Sequence, residues 1–169
     1  MSFSAASCYT VERMAKAWMA WPTATEGNIM DLKLELVLIP VSDVDRAKDF
    51  YLTKVGFDLL VDTPVGDEMR VVQLTPPGSA CSVGFGTGIC PAPPGSAQGL
   101  HLVVSDIAAA RAGLAGRGVA VSEVRHLESG TWVPGPHPQH ANYESFADFA
   151  DPDGNVWVLQ EVNRGEQGS

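Results

Sequence analysis

The sequence has few cysteines, few basic residues and no long apolar run, and each shortage excludes a class of protein. Its three cysteines are Cys8, Cys81 and Cys90; the odd count without CxxC spacing argues against a disulfide framework and favours a reducing compartment, the cytoplasm. The 11 lysines and arginines are outnumbered by 20 acidic residues, giving a net charge of -9. Nucleic acid is therefore not an expected partner. No apolar run approaches the roughly 20 residues of a membrane span, so a membrane is not expected either.

The chain is long enough for one folded domain with a sizeable core. Its 169 residues are 45% hydrophobic and 18% charged, which is ordinary for a globular protein. Residues 1–30 differ, because their apolar residues fall near helical spacing until Pro22 and Gly27 interrupt the pattern. Three interpretations of this N-terminal extension stay open: a helix that packs on the domain or a partner, a weak organelle address, or an upstream start codon. Residues 164–169 are expected to form a disordered tail.

An internal repeat organises residues 31–163. The pair Ser42-Asp43 recurs as Ser105-Asp106, 63 residues later, and an apolar run precedes it both times. Ser and Asp side chains accept hydrogen bonds from the free N–H groups at the start of a helix. The sequence therefore predicts a strand followed by a helix in each half, with helices over Val44–Lys54 and Ile107–Arg117.

Three strands are predicted after the first helix, and three more after the second helix. The predicted strands are Asp58–Asp62, Met69–Thr75, Ala80–Gly86, Val119–Val124, Tyr143–Ala150 and Asn155–Val162, with a long loop from Arg125 to Asn142 and a proline-rich link at Pro91–Gly95. This order predicts an α+β fold of two βαβββ modules, residues 31–90 and 97–163. The modules are expected to pair into a curved eight-stranded surface with a cup between them.

Three motifs accompany the repeat: the run from Ile39 to Tyr51 (IPVSDVDRAKDFY), the helix stop Gly56-Phe57, and the turn from Asp151 to Asn155 (DPDGN). With these motifs the chain resembles the vicinal oxygen chelate superfamily over about Leu32–Asn163. That superfamily includes glyoxalase I, extradiol dioxygenases, fosfomycin-modifying transferases and bleomycin-binding resistance proteins. The resemblance implies the cup-shaped fold, a homodimer and a small-molecule ligand or substrate.

Metal-binding members of this superfamily place His, Gln or Glu at four inward strand positions. The resemblance puts two of these positions at Leu36 and Gly99 in the first strand of each half, and a third at Val158 in the last strand. For the fourth, residues 78–98 contain no Asp, Glu or His. Since a cation needs several converging N or O donors, no metal and no other cofactor is predicted; a divalent metal is the alternative.

A one-residue shift of the alignment is the route by which a metal site would survive. Such a shift brings Glu35, Gln98 and either Gln160 or Glu161 closer to the ligand positions. Strand side chains alternate between faces, however, so the same shift would turn the apolar set outward. The shifted alignment is therefore disfavoured.

His101 and Gln160 are the inward polar candidates. Side chains two residues apart in a strand share a face, so His101 lies on the face of Gly99 and Gln160 on that of Val158. The imidazole could act as a catalytic base or a hydrogen-bonding group, and the amide could orient a ligand. The alternative is that His101 is a satisfied core histidine and Gln160 only ties down the backbone.

The segment from His126 to Tyr143 is the other candidate for a binding wall or lid, because long loops in small domains often carry function. Trp132, Tyr143 and the nearby Phe146 would suit a flat apolar ligand, and His140 is a further candidate contact. His137 and His140 are three residues apart, but prolines interrupt the segment, so a metal-binding pair is not expected.

Three functions remain open from the sequence. The first is a metal-free protein that binds an aromatic or hydrophobic compound, as drug-sequestering members of the superfamily do. The second is a lyase, isomerase or ring-cleaving dioxygenase that uses His101 or a relocated metal site. The third is an interaction module that recruits a partner through residues 1–30.

Overall fold

The structure, a computed structural model, describes residues 31–163, so the predictions for residues 1–30 and 164–169 lie outside it. The elements follow one another in this order: β1 (Leu36–Leu38), α1 (Val44–Asp49) with a π-helical continuation (Phe50–Val55), β2 (Asp58–Val65), β3 (Met69–Thr75), β4 (Ser82–Thr87), β5 (Leu100–Val104), α2 (Ile107–Gly116), β6 (Arg125–Glu128), β7 (Thr131–Pro134), β8 (Ser145–Ala150) and β9 (Val156–Glu161). Among these residues no helix combines the length and apolar character needed to cross a membrane.

Two sheets contain these strands. The first has the order β1-β4-β3-β2 and the second the order β5-β9-β8-β6-β7. In each sheet the first strand of the module pairs in parallel with the last one, while the remaining pairs are antiparallel. The predicted α+β fold of two similar modules is confirmed.

The number of strands differs from the prediction, because the second module contains a hairpin where a loop was expected. Strands β6 and β7 lie within the predicted loop from Arg125 to Asn142, and they are joined at Ser129 and Gly130, which have φ values of 49° and 82°. Two consecutive residues with positive φ are the mark of a tight type I′ hairpin turn. The predicted eight strands are therefore nine, in sheets of four and five.

The predicted strand Val119–Val124 is also wrong. Only Val121 pairs, through one isolated bridge to Phe149 in β8. At the next residue of β8, the backbone N–H of Asp148 donates to the side-chain oxygen of Ser122 at 2.9 Å, and not to a backbone carbonyl. A hydroxyl that replaces a backbone acceptor ends a regular strand ladder.

Both helices begin as predicted at an aspartate. The Asp43 carboxylate accepts a hydrogen bond from the N–H of Arg46 at 3.0 Å, and Asp106 accepts one from Ala109 at 2.8 Å. The first helix continues to Val55, but its second half winds as a π-helix and stops at Gly56, where φ is 90°. Glycine adopts this left-handed conformation without a steric penalty.

One aromatic core joins the two modules. Tyr51 from the π-helical segment contacts the rings of Phe85 in the first module and Trp157 in the second. Its hydroxyl donates to Asp151 at 2.8 Å and accepts a hydrogen bond from Trp157 Nε1 at 3.0 Å. Burial, reinforced by the nearby Asp151 carboxylate, raises the pKa of Tyr51 well above its usual value. The modules therefore share a core on the helix side of each sheet.

Candidate functional site

The second sheet buries one face and leaves the other open. Along β9, Trp157, Leu159 and Glu161 are buried on the side of α2. Since side chains alternate, Val158 and Gln160 point to the opposite side. Strand β5 runs parallel to β9 and pairs His101 with Val158, so the imidazole shares that side. We call this side the open face of the second sheet.

His101 and Gln160 contact each other on the open face of the second sheet. His101 Nδ1 lies 3.3 Å from Gln160 Oε1, and Gln160 Nε2 donates to the carbonyl oxygen of Tyr143 at 3.3 Å. Gln160 thus also ties down the backbone, which is the alternative role considered for it. The Tyr143 side chain itself is half exposed.

This chain of hydrogen bonds favours one tautomer of the neutral His101 ring. The Tyr143 carbonyl only accepts, so the NH₂ group of Gln160 faces it and the amide oxygen faces His101. An amide oxygen also only accepts, so His101 Nδ1 is the donor. In the neutral ring the lone pair then belongs to Nε2, which gives the imidazole one defined basic nitrogen.

A second group of side chains lies on the same face, on strands β8, β6 and β7. Trp132 on β7 is 50% exposed and meets the ring of Phe146 edge-on, with centroids 5.5 Å apart. The guanidinium of Arg125 lies over the indole at 4.9 Å from its centroid and forms an ion pair with Asp148 at 2.6 Å. We call Arg125, Trp132, Phe146 and Asp148 the aromatic wall.

The aromatic wall adjoins the His101–Gln160 pair. In the register of the sheet, Phe146 lies opposite Gln160 on one side and opposite Arg125 on the other. Neighbouring strands are about 4.8 Å apart, so Gln160 and Arg125 are separated by about 10 Å. A drug-sized molecule could contact both groups at once.

The first sheet presents hydrocarbon on its open side. Leu36 and Leu38 are 38% and 41% exposed, and both lie over Gly84 of β4. A Cβ atom built on Gly84 would be 3.1 Å from Leu36 Cδ1 and 3.3 Å from Leu38 Cδ2. The two leucines therefore occupy the space that a side chain at position 84 would need.

His140 lies apart from the other predicted site residues. Its Nδ1 is 3.1 Å from Oε1 of Glu161, whose side chain is only 1% exposed and lies on the helix side of the second sheet. The same carboxylate accepts hydrogen bonds from the Ser145 hydroxyl at 3.0 Å and the Ile107 N–H at 3.4 Å. Glu161 thus faces the core, not the open face, and anchors the segment before β8.

The positions to which the resemblance assigns metal ligands carry no donor side chain in this sequence. Leu36 and Val158 carry hydrocarbon side chains, and Gly99 has none. Gly99 also has a φ of 70°, a conformation in which other residues are strained, so a ligating side chain is disfavoured at that position. Between residues 31 and 163, no three His, Cys, Asp or Glu side chains converge as a metal site would require.

Arg125 and Asp148 were missed by the sequence analysis. Asp148 lies two residues after Phe146 in a strand that was predicted correctly, so the alternation of side chains could have placed it on the open face. Arg125 was assigned to a loop, and its place became visible only with the hairpin. The Ser129-Gly130 pair between two short β-like runs was the available signal.

Known proteins share this architecture. TnmS3, an antibiotic binding protein from Streptomyces sp. CB03234, is 37% identical, with a TM-score of 0.64 over 80% of this chain and 100% of that protein. A glyoxalase/bleomycin resistance protein from Streptomyces sp. CB03234 is 40% identical, with a TM-score of 0.60 over 76% of this chain and 100% of its own. The uncharacterized protein YetH of Bacillus subtilis (strain 168) is 27% identical over 125 residues, which is 74% of this chain and 94% of YetH. Residues 33–159 match the family model, and the chain belongs to the Glyoxalase/Bleomycin resistance protein/Dioxygenase superfamily.

Proposed function

We propose that this protein binds a flat, largely apolar small molecule, without a metal ion and without changing it chemically. The observation that carries the proposal is the combination of hydrocarbon at Leu36 and Val158, where the resemblance places metal ligands, with a half-exposed indole at Trp132 on the open face of the second sheet. Sequestration requires contact area and shape, which these side chains supply, and does not require a reactive centre. The similarity to TnmS3, which is described as an antibiotic binding protein, supports the same function.

A thermal-shift screen tests this proposal. Flat aromatic compounds and secondary metabolites are added singly to the purified protein, and binders are expected to raise the melting temperature because they bind only the folded state. Each binder is then recovered and analysed by mass spectrometry, and we expect it unchanged. Conversion of every binder to a product would rule out sequestration.

The binding site is tested by a matched pair of variants. Trp132→Ala removes the exposed ring and should abolish most of the shift in melting temperature caused by a binder. Glu123→Gln alters a side chain that is 85% exposed and lies outside the aromatic wall, and it should leave the shift unchanged. An equal response of the two variants would mean that the compounds bind elsewhere.

The metal-free part of the proposal has its own test. Protein treated with a chelator is incubated with manganese, iron, nickel or zinc, desalted, and analysed for bound metal. We expect less than stoichiometric retention, because the positions of Leu36, Gly99 and Val158 offer no side-chain donors. One tightly held equivalent per chain would instead favour an enzyme with a relocated metal site.

The defined tautomer of His101 favours a second candidate function. With its Nδ1 proton held by Gln160, a neutral His101 presents Nε2 as a base, and a positioned imidazole contributes about 10²–10⁴-fold to a proton transfer. Such a protein would be a lyase or isomerase. Replacement of His101 by Ala should then abolish turnover of a compound that the screen identifies, while circular dichroism stays unchanged; retained turnover would exclude this role.

We further propose that the protein is a homodimer that acts in the cytoplasm. Exposed apolar side chains on β2, the edge strand of the first sheet, namely Leu59, Leu60 and Val65, support a subunit contact, since large apolar patches often mark interfaces. Cys81 and Cys90 are both free thiols, which suits a reducing compartment. Light scattering coupled to size exclusion should give twice the chain mass; a monomer at micromolar concentration would contradict the dimer.

A further inference from the structure

The aromatic wall contains one ion pair beside its exposed ring. Arg125 is in contact with Trp132 on one side and with Asp148 on the other, at 4.9 Å from the ring centroid and 2.6 Å from the carboxylate. Both charged side chains are only partly exposed, at 34% and 29%. The pair therefore lies against the ring on which a ligand would stack.

Arg125 occupies one face of the Trp132 ring, the place where a cationic ligand would bind. A cation is attracted to the face of an indole by the quadrupole of the ring, and here the guanidinium already lies over that face. A second cation on the other side of the ring would meet a quadrupole that already interacts with Arg125, and would gain less than on an indole with both faces free. The wall therefore disfavours positively charged aromatic compounds.

Asp148 prevents Arg125 from favouring anionic ligands. Without a partner, Arg125 would attract carboxylates and phosphates. The short contact from its Nη2 to Asp148 compensates its charge. The wall therefore gives no advantage to anionic aromatic compounds.

We infer that the Arg125–Asp148 pair makes the aromatic wall selective for uncharged flat ring systems over both cationic and anionic ones. This inference rests on the proposed binding function and names the class of ligand for the same site. It assigns Trp132 as the surface that contacts the ligand, and Arg125 and Asp148 as the residues that set its charge preference.

Three tricyclic probes of similar size test the inference: acridone, which is neutral, 9-aminoacridine, which is cationic, and anthracene-9-carboxylate, which is anionic. Dissociation constants are measured by fluorescence titration at neutral pH for the unaltered protein and for single variants. The unaltered protein should bind acridone more tightly than either charged probe, by about tenfold, because a charged probe loses hydration on the apolar ring without meeting a net opposite charge.

Two mirror-image variants shift this preference in opposite directions. Arg125→Met leaves Asp148 uncompensated, so the affinity for 9-aminoacridine should rise about tenfold relative to acridone. Asp148→Asn leaves Arg125 uncompensated, so the affinity for anthracene-9-carboxylate should rise by a similar factor. The control Glu68→Gln removes a negative charge from the exposed turn between β2 and β3 of the first sheet, and should leave all three ratios unchanged.

The outcomes separate this inference from the function it rests on. If the unaltered protein binds none of the three probes, the binding function of the wall is wrong, and the inference falls with it. If acridone binds but neither mirror-image variant alters the ratios, only the charge preference is wrong. If Trp132→Ala changes the oligomeric state in size exclusion without changing probe affinity, a second copy of the chain covers the wall, which also overturns the inference.

Discussion

The open sides of the two sheets differ in chemistry although the same repeated unit builds both. In the first sheet Leu38 pairs with Gly84, and in the second His101, which is 63 residues later, pairs with Val158. The first pair presents hydrocarbon, whereas the second places an imidazole next to the amide of Gln160. The repeat therefore conserves the backbone arrangement and leaves each sheet free to carry its own chemistry.

The second sheet also has a strand without a counterpart in the first. Strand β7 extends the second sheet to five strands and carries Trp132, the exposed ring of the aromatic wall. Every polar and aromatic group that we assign to ligand binding therefore comes from one module. The first module contributes a surface of leucines, which can exclude water but offers few hydrogen bonds.

The largest expected effect comes from breaking the junction that holds the two modules together. The Asp151 carboxylate accepts hydrogen bonds from the Tyr51 hydroxyl, the Asn155 side chain and the backbone N–H groups of Asp153 and Asn155. Asp151→Ala strands these buried donors, and should lower the free energy of unfolding by about 3–5 kcal/mol. Urea denaturation followed by circular dichroism measures the loss.

Tyr51→Phe is the matched control for the junction. It removes one hydrogen bond from the carboxylate and the acceptor of Trp157 Nε1. It leaves the other donors to Asp151 in place, so about 1–3 kcal/mol should be lost, less than in Asp151→Ala. Equal losses in Asp151→Ala and Tyr51→Phe would show that the hydroxyl alone joins the modules. In that case the turn from Asp151 to Asn155 in the second module would not be the feature that joins the two modules.

The next largest effect on stability concerns Gly84 and Gly86 of β4, where a side chain would contact neighbouring atoms of the first sheet. A Cβ on Gly86 would lie 1.8 Å from the carbonyl oxygen of Arg70, a backbone atom that cannot move aside, whereas a Cβ on Gly84 meets only the ends of Leu36 and Leu38. Gly86→Ala should therefore cost about 2–3 kcal/mol of unfolding free energy and Gly84→Ala less than about 1 kcal/mol. Similar melting temperatures for the two variants would contradict the close approach of β3 and β4.

The sequence predicted the features that depend on local patterns. Alternation along β9 placed Gln160 on the side opposite its buried neighbours, and the Ser-Asp pairs predicted where both helices begin. The π-helical winding after Asp49 was not predictable in this way, because it depends on how Tyr51 packs between the modules. Local propensity does not contain that tertiary contact.

The aromatic wall depends on a contact that local patterns hide. The segment is rich in residues typical of a loop: Pro134, Gly135, Pro136 and Pro138. They led to the prediction of a loop, although short β-like runs lie on either side of Ser129-Gly130. Strand pairing between β6 and β7 decided the outcome. Arg125 and Trp132 meet only because that hairpin forms.

Replacing His101 and Gln160 of the second sheet by leucine, the residue found on the open side of the first sheet, should have a smaller effect on the free energy of unfolding. His101→Leu removes the donor to Gln160 Oε1, which is buried, and should cost about 1 kcal/mol of unfolding free energy. Adding Gln160→Leu should cost less than the sum of the two single changes, because the residues are in contact. Strict additivity in urea denaturation would mean that the two side chains do not support each other.

The smallest expected effect compares the ion pairs on the helix sides of the modules. In the first module Asp62 accepts hydrogen bonds from Arg70 at 2.8 Å and from Lys48 at 2.5 Å, and these bonds hold the pKa of Asp62 well below its usual value, Arg70 contributing most. In the second module Arg111 pairs with Glu123, which is 85% exposed. Asp62→Asn should lower the free energy of unfolding by about 0.5–1 kcal/mol at pH 7, and Glu123→Gln by less than about 0.3 kcal/mol.

The pH dependence of these two variants gives the sharper comparison. Because the pKa of Asp62 is lower in the folded than in the unfolded chain, its contribution is complete above the unfolded value of about 4 and is lost as the pH falls below that value. The stability difference between the unaltered protein and Asp62→Asn should therefore be constant from pH 7 to about 5 and shrink toward pH 3, whereas Glu123→Gln should show almost no difference throughout. A difference for Asp62→Asn that grows as the pH falls would mean that Asp62 is better stabilised as the neutral acid, and that α1 and the first sheet are held together by packing instead of by this ion pair.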